Sequence, residues 1–365
     1  MGFFIAVGVL CAISLAVALL VRLAKAPIER HGACTITING GQTLKVAGGR
    51  SLLVTLKDDG IFIPSVCGGR GACGRCKVRI ESGAGEPSPK ELARLSADER
   101  ENHVRLACQV EVRNDVRIEI PASLLAIRQF ATTVTSMRDL TDDIKEVTLK
   151  LMKPDTIVFR AGQFIQFEVP PGELAPRSVF RAYSISSPPS RRHEIELEIR
   201  CIPNGICTTY VHRHLKVGDT VSINGPHGDF FLRDSDREMI CVAGGSGMAP
   251  IKSILMDMAE RGIRRTVRYF FGARTRKDLF VLAEMEGLAT RLPGFEFIPA
   301  LSDPAPDDRW TGEVGLITEV VARHVRDAKE AEAYLCGSPF MIDACVKVLK
   351  EKGLPDGRTY YDRFA

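Results

Sequence analysis

The sequence predicts a multidomain chain: one N-terminal transmembrane helix, a small α+β domain, an antiparallel β-barrel domain and an α/β domain with a parallel sheet. Three observations predict it. An uncharged apolar stretch opens the chain, and four cysteines crowd a glycine-rich segment after it. The remainder passes from short alternating strands broken by Pro and Gly to apolar strands alternating with helical patterns. At 365 residues the chain has room for two or three domains of ordinary size. Hydrophobic residues at 45% and charged residues at 26% match a globular protein and exclude disorder. The formal charge of +4, with Lys and Arg scattered rather than striped, leaves no footprint for nucleic acid.

Residues 3–21 carry no charge, and as a helix they would reach about 28 Å, close to the hydrocarbon thickness of a bilayer. A cleaved signal peptide has its positive charge before the apolar stretch; here Arg22, Lys25 and Arg30 follow it. Residues 1–30 therefore read as an anchor with the rest of the chain on the cytoplasmic side.

The small domain spans residues 31–122. Alternation at 35–38 and 43–46 around Asn39-Gly40-Gly41 is a hairpin pattern, and strands 104–112 and 116–120 close the domain. Pro121 and a short Ala/Leu stretch form a linker. The barrel domain, 129–236, shows alternating strands such as 194–199 and 220–223, with one helix at 206–215. In the last domain, 237–365, strands 239–242, 267–271 and 333–336 alternate with helices 251–261, 317–324 and 341–352.

Cys67, Cys73 and Cys76 are spaced C-x5-C-x2-C, and Cys108 follows. Four thiolates are the complement of a [2Fe-2S] cluster, and Gly68, Gly69, Gly71 and Gly74 let the backbone wrap it. A structural zinc site usually pairs two C-x2-C knuckles, and only one is present. Eleven cysteines in all, four of them grouped, suit a reducing compartment. Cys11, Cys34, Cys201, Cys241 and Cys345 receive no role.

Arg181-Ala182-Tyr183-Ser184 resembles the R-x-Y-S flavin motif of the ferredoxin-NADP reductase superfamily, which implies that the arginine can neutralise a flavin phosphate, the tyrosine stack on the ring and the serine hydrogen-bond its redox-active edge. Alone, an ordinary polar strand reads the same way. Gly205, Cys207 and Thr208 downstream place N–H donors at a helix start, which favours a pyrophosphate. Gly244, Gly245, Gly247, Met248 and Pro250 form a turn between an apolar strand and a helix, where backbone can approach a dinucleotide.

The cysteine segment resembles a ferredoxin domain, which implies a β-grasp-like fold. The R-x-Y-S stretch, Gly205–Thr208, the glycine turn and Cys336-Gly337-Ser338-Pro339 resemble the ferredoxin-NADP reductase superfamily. Over essentially the whole chain, the order of the domains resembles the family of F subunits of the Na+-translocating NADH:quinone reductase. Phe271-Gly-Ala-Arg-Thr275, Ala300-Leu-Ser-Asp303 and the aromatic C-terminus support the closer match. Two departures are visible: residues 169–181 are shorter than that family expects, and Ser338 stands where it usually has proline.

The resemblance implies FAD in the barrel, NADH rather than NADPH as substrate, and Arg274, Cys336 and Gly337 as further nucleotide contacts. It assigns catalytic roles to Ser184, Cys336 and Phe364, the last as an aromatic that covers the flavin. A buried strand thiol and a frayed terminus are the plain alternatives for Cys336 and Phe364. The implied function is a membrane-anchored electron-entry component in a bacterial inner membrane, its catalytic domains cytoplasmic. It would pass hydride from NADH to FAD and single electrons to [2Fe-2S], then to other membrane subunits of a Na+-transporting complex, reaching quinone indirectly. The rivals are a reductase component serving an oxygenase, which would usually lack the anchor, and a membrane-tethered redox sensor, which would not turn over.

Overall fold

The computed structural model describes residues 4, 8, 11–17, 32–125 and 127–364. Most of the expected anchor lies outside them. Residues 4, 8 and 11–17 are helical and exposed, and among the described residues no helix is long and apolar enough to cross a membrane. The contacts divide the chain into two compact units. One holds the chain before Pro64 and from Gly69 to the linker; the other holds Pro64–Gly68 and everything from Ile127 on.

In the first unit, β1 (Ala33–Ile38), β2 (Gln42–Ala47), β3 (Lys77–Ser82), β4 (Val104–Leu106) and β5 (Val116–Glu119) form a mixed sheet in the order β2-β1-β5-β3-β4. The β1–β2 hairpin is the one its alternation predicts, and β5 lies parallel to β1. Ile36, Ile38, Val78, Ile80 and Ile118 alternate into a core that Leu52 and Leu56 of α1 (Leu52–Asp58) complete. Ser51 starts α1 by accepting from the Val54 N–H. The strand expected at 104–112 ends at Leu106. There the Gln109 N–H turns back to the Leu106 carbonyl and the Ala107 carbonyl accepts from Leu53, so Cys108 sits in a turn.

The second unit begins with β6 (Arg128–Asp139), β7 (Ile144–Lys153), β8 (Phe164–Val169), β9 (Val179–Ser184), β10 (Glu194–Arg200) and β11 (Thr220–His227). They form an antiparallel sheet in the order β10-β7-β6-β11-β8-β9. Its ends curl together: Ile185 bridges Leu197, and the Ser186 N–H donates to the Glu196 carbonyl. The helix expected at 206–215 is a short α-turn, Ile206–Thr209, running into a π-turn, Tyr210–His214.

A parallel sheet follows, built from β12 (Glu238–Gly244), β13 (Val267–Ala273), β14 (Phe295–Leu301), β15 (Glu313–Val314), β16 (Ala331–Gly337) and β17 (Thr359–Arg363). Its order is β15-β14-β13-β12-β16-β17. Helices α2 (Met248–Arg261) and α3 (Leu282–Arg291) cover one face, α4 (Ile317–His324) and α5 (Pro339–Glu351) the other. Burial on both faces explains why residues 239–244 of β12 and 333–337 of β16 are continuous apolar runs. Helix α2 starts before the expected residue 251 because a single 3-10 turn, Gly245–Gly247, feeds directly into it.

Candidate redox site

Cys73, Cys76 and Cys108 belong to the first unit, while Cys67 is buried in the segment 64–68 that groups with the second. The Cys76 and Cys108 thiols share a hydrogen bond, which together with burial and the nearby Cys73 pushes Cys76 up. Gly71 has φ +76°, and a Cβ there would stand 2.8 Å from Gln109 Nε2. That amide donates to Cys108 Sγ at 3.4 Å, a contact with no counterpart among the sequence expectations. Among the described residues no group of three or more His, Cys, Asp or Glu side chains could hold a metal ion. A binuclear cluster divides four thiolates between two irons, so neither iron needs three. The left-handed glycine loop and its thiol donors fit such a cluster.

On β9, Arg181 Nη1 donates to the Phe180 carbonyl at 2.7 Å. The Tyr183 hydroxyl meets the Cys207 thiol; burial, then Cys207, hold the phenol well above its usual range, and burial pushes the Cys207 thiol to about 11. A Cβ on Gly205 would come within 2.5 Å of Thr208 Oγ1 and force that hydroxyl to shift. The Thr208 hydroxyl accepts from the Ile202 N–H at 3.2 Å and reaches the Gly205 carbonyl at 3.1 Å, closing the loop on itself. Its hydroxyl is thus engaged, and the backbone of this turn is what remains for a phosphate. Gln166 Nε2 and Ser186 Oγ are buried with no hydrogen-bond partner among the described residues. Gln166 lies opposite Ala182, and Ser186 follows the end of β9. Orphaned polar atoms beside this strand fit an acceptor-rich flavin.

The edge strand β17 brings the C-terminus to the same place. Ser184 Oγ donates to Asp362 Oδ2 at 3.5 Å across 178 residues of chain, and Asp362 is in register with Cys336 of β16. The Phe364 N–H donates to the Gly337 carbonyl at 2.9 Å. A Cβ on Gly247 would lie 2.4 Å from the Cys336 carbonyl oxygen, so the glycine turn rests directly on the end of β16. Burial, then the Asp362 charge, hold the Cys336 thiol well above its usual range. Gly244 and Gly245 complete the turn, Gly245 at φ +55°, and a Cβ on it would lie 3.1 Å from the Arg200 guanidinium. Arg200, unassigned from sequence, is itself held by Asp143 at 2.6 Å.

Ser184, Cys336, Gly337, Phe364 and the glycine turn therefore converge, with Asp362 and Arg200 added. Met248 and Pro250 are buried beneath the turn, Met248 accepting from the Tyr269 hydroxyl at 3.0 Å, so they shape the turn from inside. Arg274 stands exposed and pairs with Asp303 at 3.3 Å. Ser338, in place of proline, caps α5 by accepting from the Met341 N–H at 3.3 Å.

A cysteine loop in one unit, and an antiparallel barrel and nucleotide sheet meeting at a serine-aspartate contact in the other, define a flavin- and iron-sulfur-dependent oxidoreductase. Three family descriptions match: a 2Fe-2S iron-sulfur cluster binding domain over residues 36–113, an oxidoreductase FAD-binding domain over 131–232 and an oxidoreductase NAD-binding domain over 241–347. The chain belongs to the family of the F subunit of the Na(+)-translocating NADH-quinone reductase. Proteins of that name from Neisseria meningitidis and Klebsiella pneumoniae are each 35% identical over 353 residues. The match covers 86% of this chain and 87% and 86% of theirs. Among solved structures, an Amycolatopsis cytochrome P450 reductase superposes with TM-score 0.74 at 29% identity, covering 91% of this chain and 98% of its own. The ferredoxin reductase in carbazole 1,9a-dioxygenase gives 0.70 at 28%, covering 92% and 99%. The protein is an oxidoreductase of NADH-oxidising electron transfer, with FAD, [2Fe-2S] and NAD domains in one chain.

Proposed function

We propose that this chain is the membrane-anchored electron-input component of a Na+-transporting quinone reductase complex in a bacterial inner membrane, its catalytic domains cytoplasmic. The anchor occupies residues 1–30, the ferredoxin domain 31–122, the FAD domain 129–236 and the NAD domain 237–365. The observation that carries the reading is the Ser184–Asp362 contact, where the flavin strand meets the edge of the nucleotide sheet. FAD, when bound, takes two electrons from the nicotinamide as hydride and releases them singly.

The residues divide the remaining work. Arg181 neutralises a flavin phosphate, Tyr183 packs on the ring, and backbone N–H groups after Gly205 face the pyrophosphate. Ser184 Oγ holds a proton between the flavin edge and Asp362 Oδ2. Gly244, Gly245 and Gly247 bring the nucleotide to the end of β16, where Cys336 and Gly337 line the nicotinamide and Phe364 covers the flavin until it arrives. Asp303 already occupies Arg274; this supports NADH, since a 2'-phosphate would have to compete for that arginine. Cys67, Cys73, Cys76 and Cys108 hold the cluster from which electrons leave toward the other membrane subunits and quinone. The uncharged stretch at 3–21 and the relatives' names support the membrane site and the Na+ coupling.

Anaerobic titration of the purified enzyme tests this. NADH, and not NADPH, is expected to bleach both flavin and cluster, and Cys108→Ala to keep flavin bleaching while losing the cluster spectrum. Full-length chain is expected in the membrane fraction and chain from residue 32 in the soluble one; equal partition would remove the anchor. A second reading, supply of electrons to an oxygenase, is favoured by the likeness to the P450 and carbazole-dioxygenase reductases. It predicts that the anchor-free chain reduces a soluble acceptor protein as fast as the full chain does.

A further inference from the structure

Lys252 lies in α2, just beyond Pro250, and is among the largest fully buried side chains of the molecule. Its Nζ stands 3.1 Å from Glu284 of α3, 3.4 Å from Glu146 of β7, and 3.5 and 3.6 Å from Glu198 and Glu196 of β10. Burial works to lower the ammonium, and Glu198, Glu284, Glu196 and Glu146 outweigh it and hold it high. One cation thereby ties the helix that follows the glycine turn to two strands of the flavin barrel.

The surrounding charges do not balance by themselves. Arg138 of β6 pairs with Glu146 at 3.1 Å and Glu284 at 3.3 Å, and Arg191, before β10, pairs with Glu196. Arg291 of α3 lines the adjoining cavity, and Tyr269 of β13 stands beside Glu198. With Glu194 of β10, which pairs with Arg191 at 3.8 Å, five carboxylates face three cations among the directly paired groups, and the most deeply buried of the five is Glu198. It is fully buried, its Oε2 has no partner among the described residues, and burial outweighs Lys252 to push it up to about 7.

We propose that Lys252 is a positioning residue for hydride transfer: through its four glutamates it sets the glycine turn, and so the nicotinamide, against the flavin strand, with a proton on Glu198 easing the excess of negative charge. The proposal rests on the NADH-to-FAD reading above. Removing the cation leaves the fully buried Glu198 with no counter-charge beside Glu146, Glu196 and Glu284, and α2 must move off the barrel. A displacement of about 1 Å at the reacting centre costs on the order of 100-fold in rate. Ionising Glu198 adds the same repulsion in weaker form, so the rate falls as pH rises through about 7.

The test is rapid-mixing flavin reduction by NADH in the full-chain holoenzyme, on both sides of neutrality. Lys252→Met is expected to keep the flavin and cluster spectra and the NADH half-saturation while its limiting rate constant falls on the order of 100-fold. Lys252→Arg is expected to recover most of the rate, and Glu198→Gln to hold the low-pH rate at every pH. An unchanged rate in Lys252→Met, a loss confined to half-saturation, or a native pH profile in Glu198→Gln would overturn the proposal. Should Lys252→Met fail to retain flavin, the Lys252→Arg and Glu198→Gln arms decide it. A native enzyme that NADH does not reduce at all would sink the underlying reading and the proposal with it.

Discussion

Glu91 in the cysteine-bearing unit and Glu198 in the flavin-nucleotide unit are both buried against a basic side chain, yet their carboxyls move in opposite directions. Burial works to raise Glu91, but hydrogen bonds from Arg105 at 2.8 and 3.0 Å and from the Ser88 and Leu106 N–H groups outweigh it and hold it below its usual 4.5. Burial also raises Glu198, and there it wins: Lys252 is shared among four glutamates, and the carboxyl stands at about 7. The difference lies in the number of acids per base. A guanidinium devoted to one carboxylate keeps it ionised; an ammonium divided among several leaves one of them a proton.

Separating the first pair is expected to do the most damage. Arg105→Leu strands a buried carboxylate and is expected to cost about 3–5 kcal/mol, read from thermal melts followed by cluster absorption. An unchanged melting temperature would mean that Glu91 takes a proton at no cost and that the two sites do not differ. Next comes the pH response, which has opposite sign in the two units. A carboxyl raised from 4.5 to about 7 contributes stability that is full below 4.5 and lost as pH rises through about 7, a span of roughly 3 kcal/mol. Glu91, lowered, contributes stability that is present above 4.5 and lost as pH falls from there through its depressed value. Denaturant midpoints across the acid and neutral ranges separate the two, and Glu198→Gln is expected to flatten only the neutral limb.

Gln109→Leu extends the contrast to the cluster itself. Losing the amide bond to Cys108 removes stabilisation from the more negative reduced cluster. The expected shift is tenfold in the reduction equilibrium, about 59 mV toward lower potential, by spectroelectrochemistry. Least affected is Arg79→Ala: its pair with Glu119 at 2.8 Å is half exposed, so less than about 1 kcal/mol is expected in the same denaturant assay.

The cysteine loop was open to sequence reasoning because its chemistry is local. Glycines that must adopt positive φ stand between thiols a few residues apart, and spacing alone reports both. The β1–β2 hairpin and the buried strands β12 and β16 were legible for the same reason, through period-two alternation and continuous apolar runs. The Ser184–Asp362 contact and the Lys252 cluster were not. Each gathers side chains from elements far apart in the chain, and a lysine or glutamate on an amphipathic element looks like solvated surface until the neighbouring layer covers it. Strand β17 escaped notice because Thr359–Arg363 is a short, polar edge. Gln109 escaped because an amide after a cysteine carries no pattern of its own.

The order of electron arrival decides whether the path runs from nicotinamide through flavin to cluster. When NADH is mixed rapidly with the oxidised enzyme, flavin absorption is expected to fall first and cluster absorption to follow, with Cys108→Ala keeping the first phase and losing the second. Cluster reduction that precedes the flavin, or that persists in protein stripped of FAD, would contradict that path.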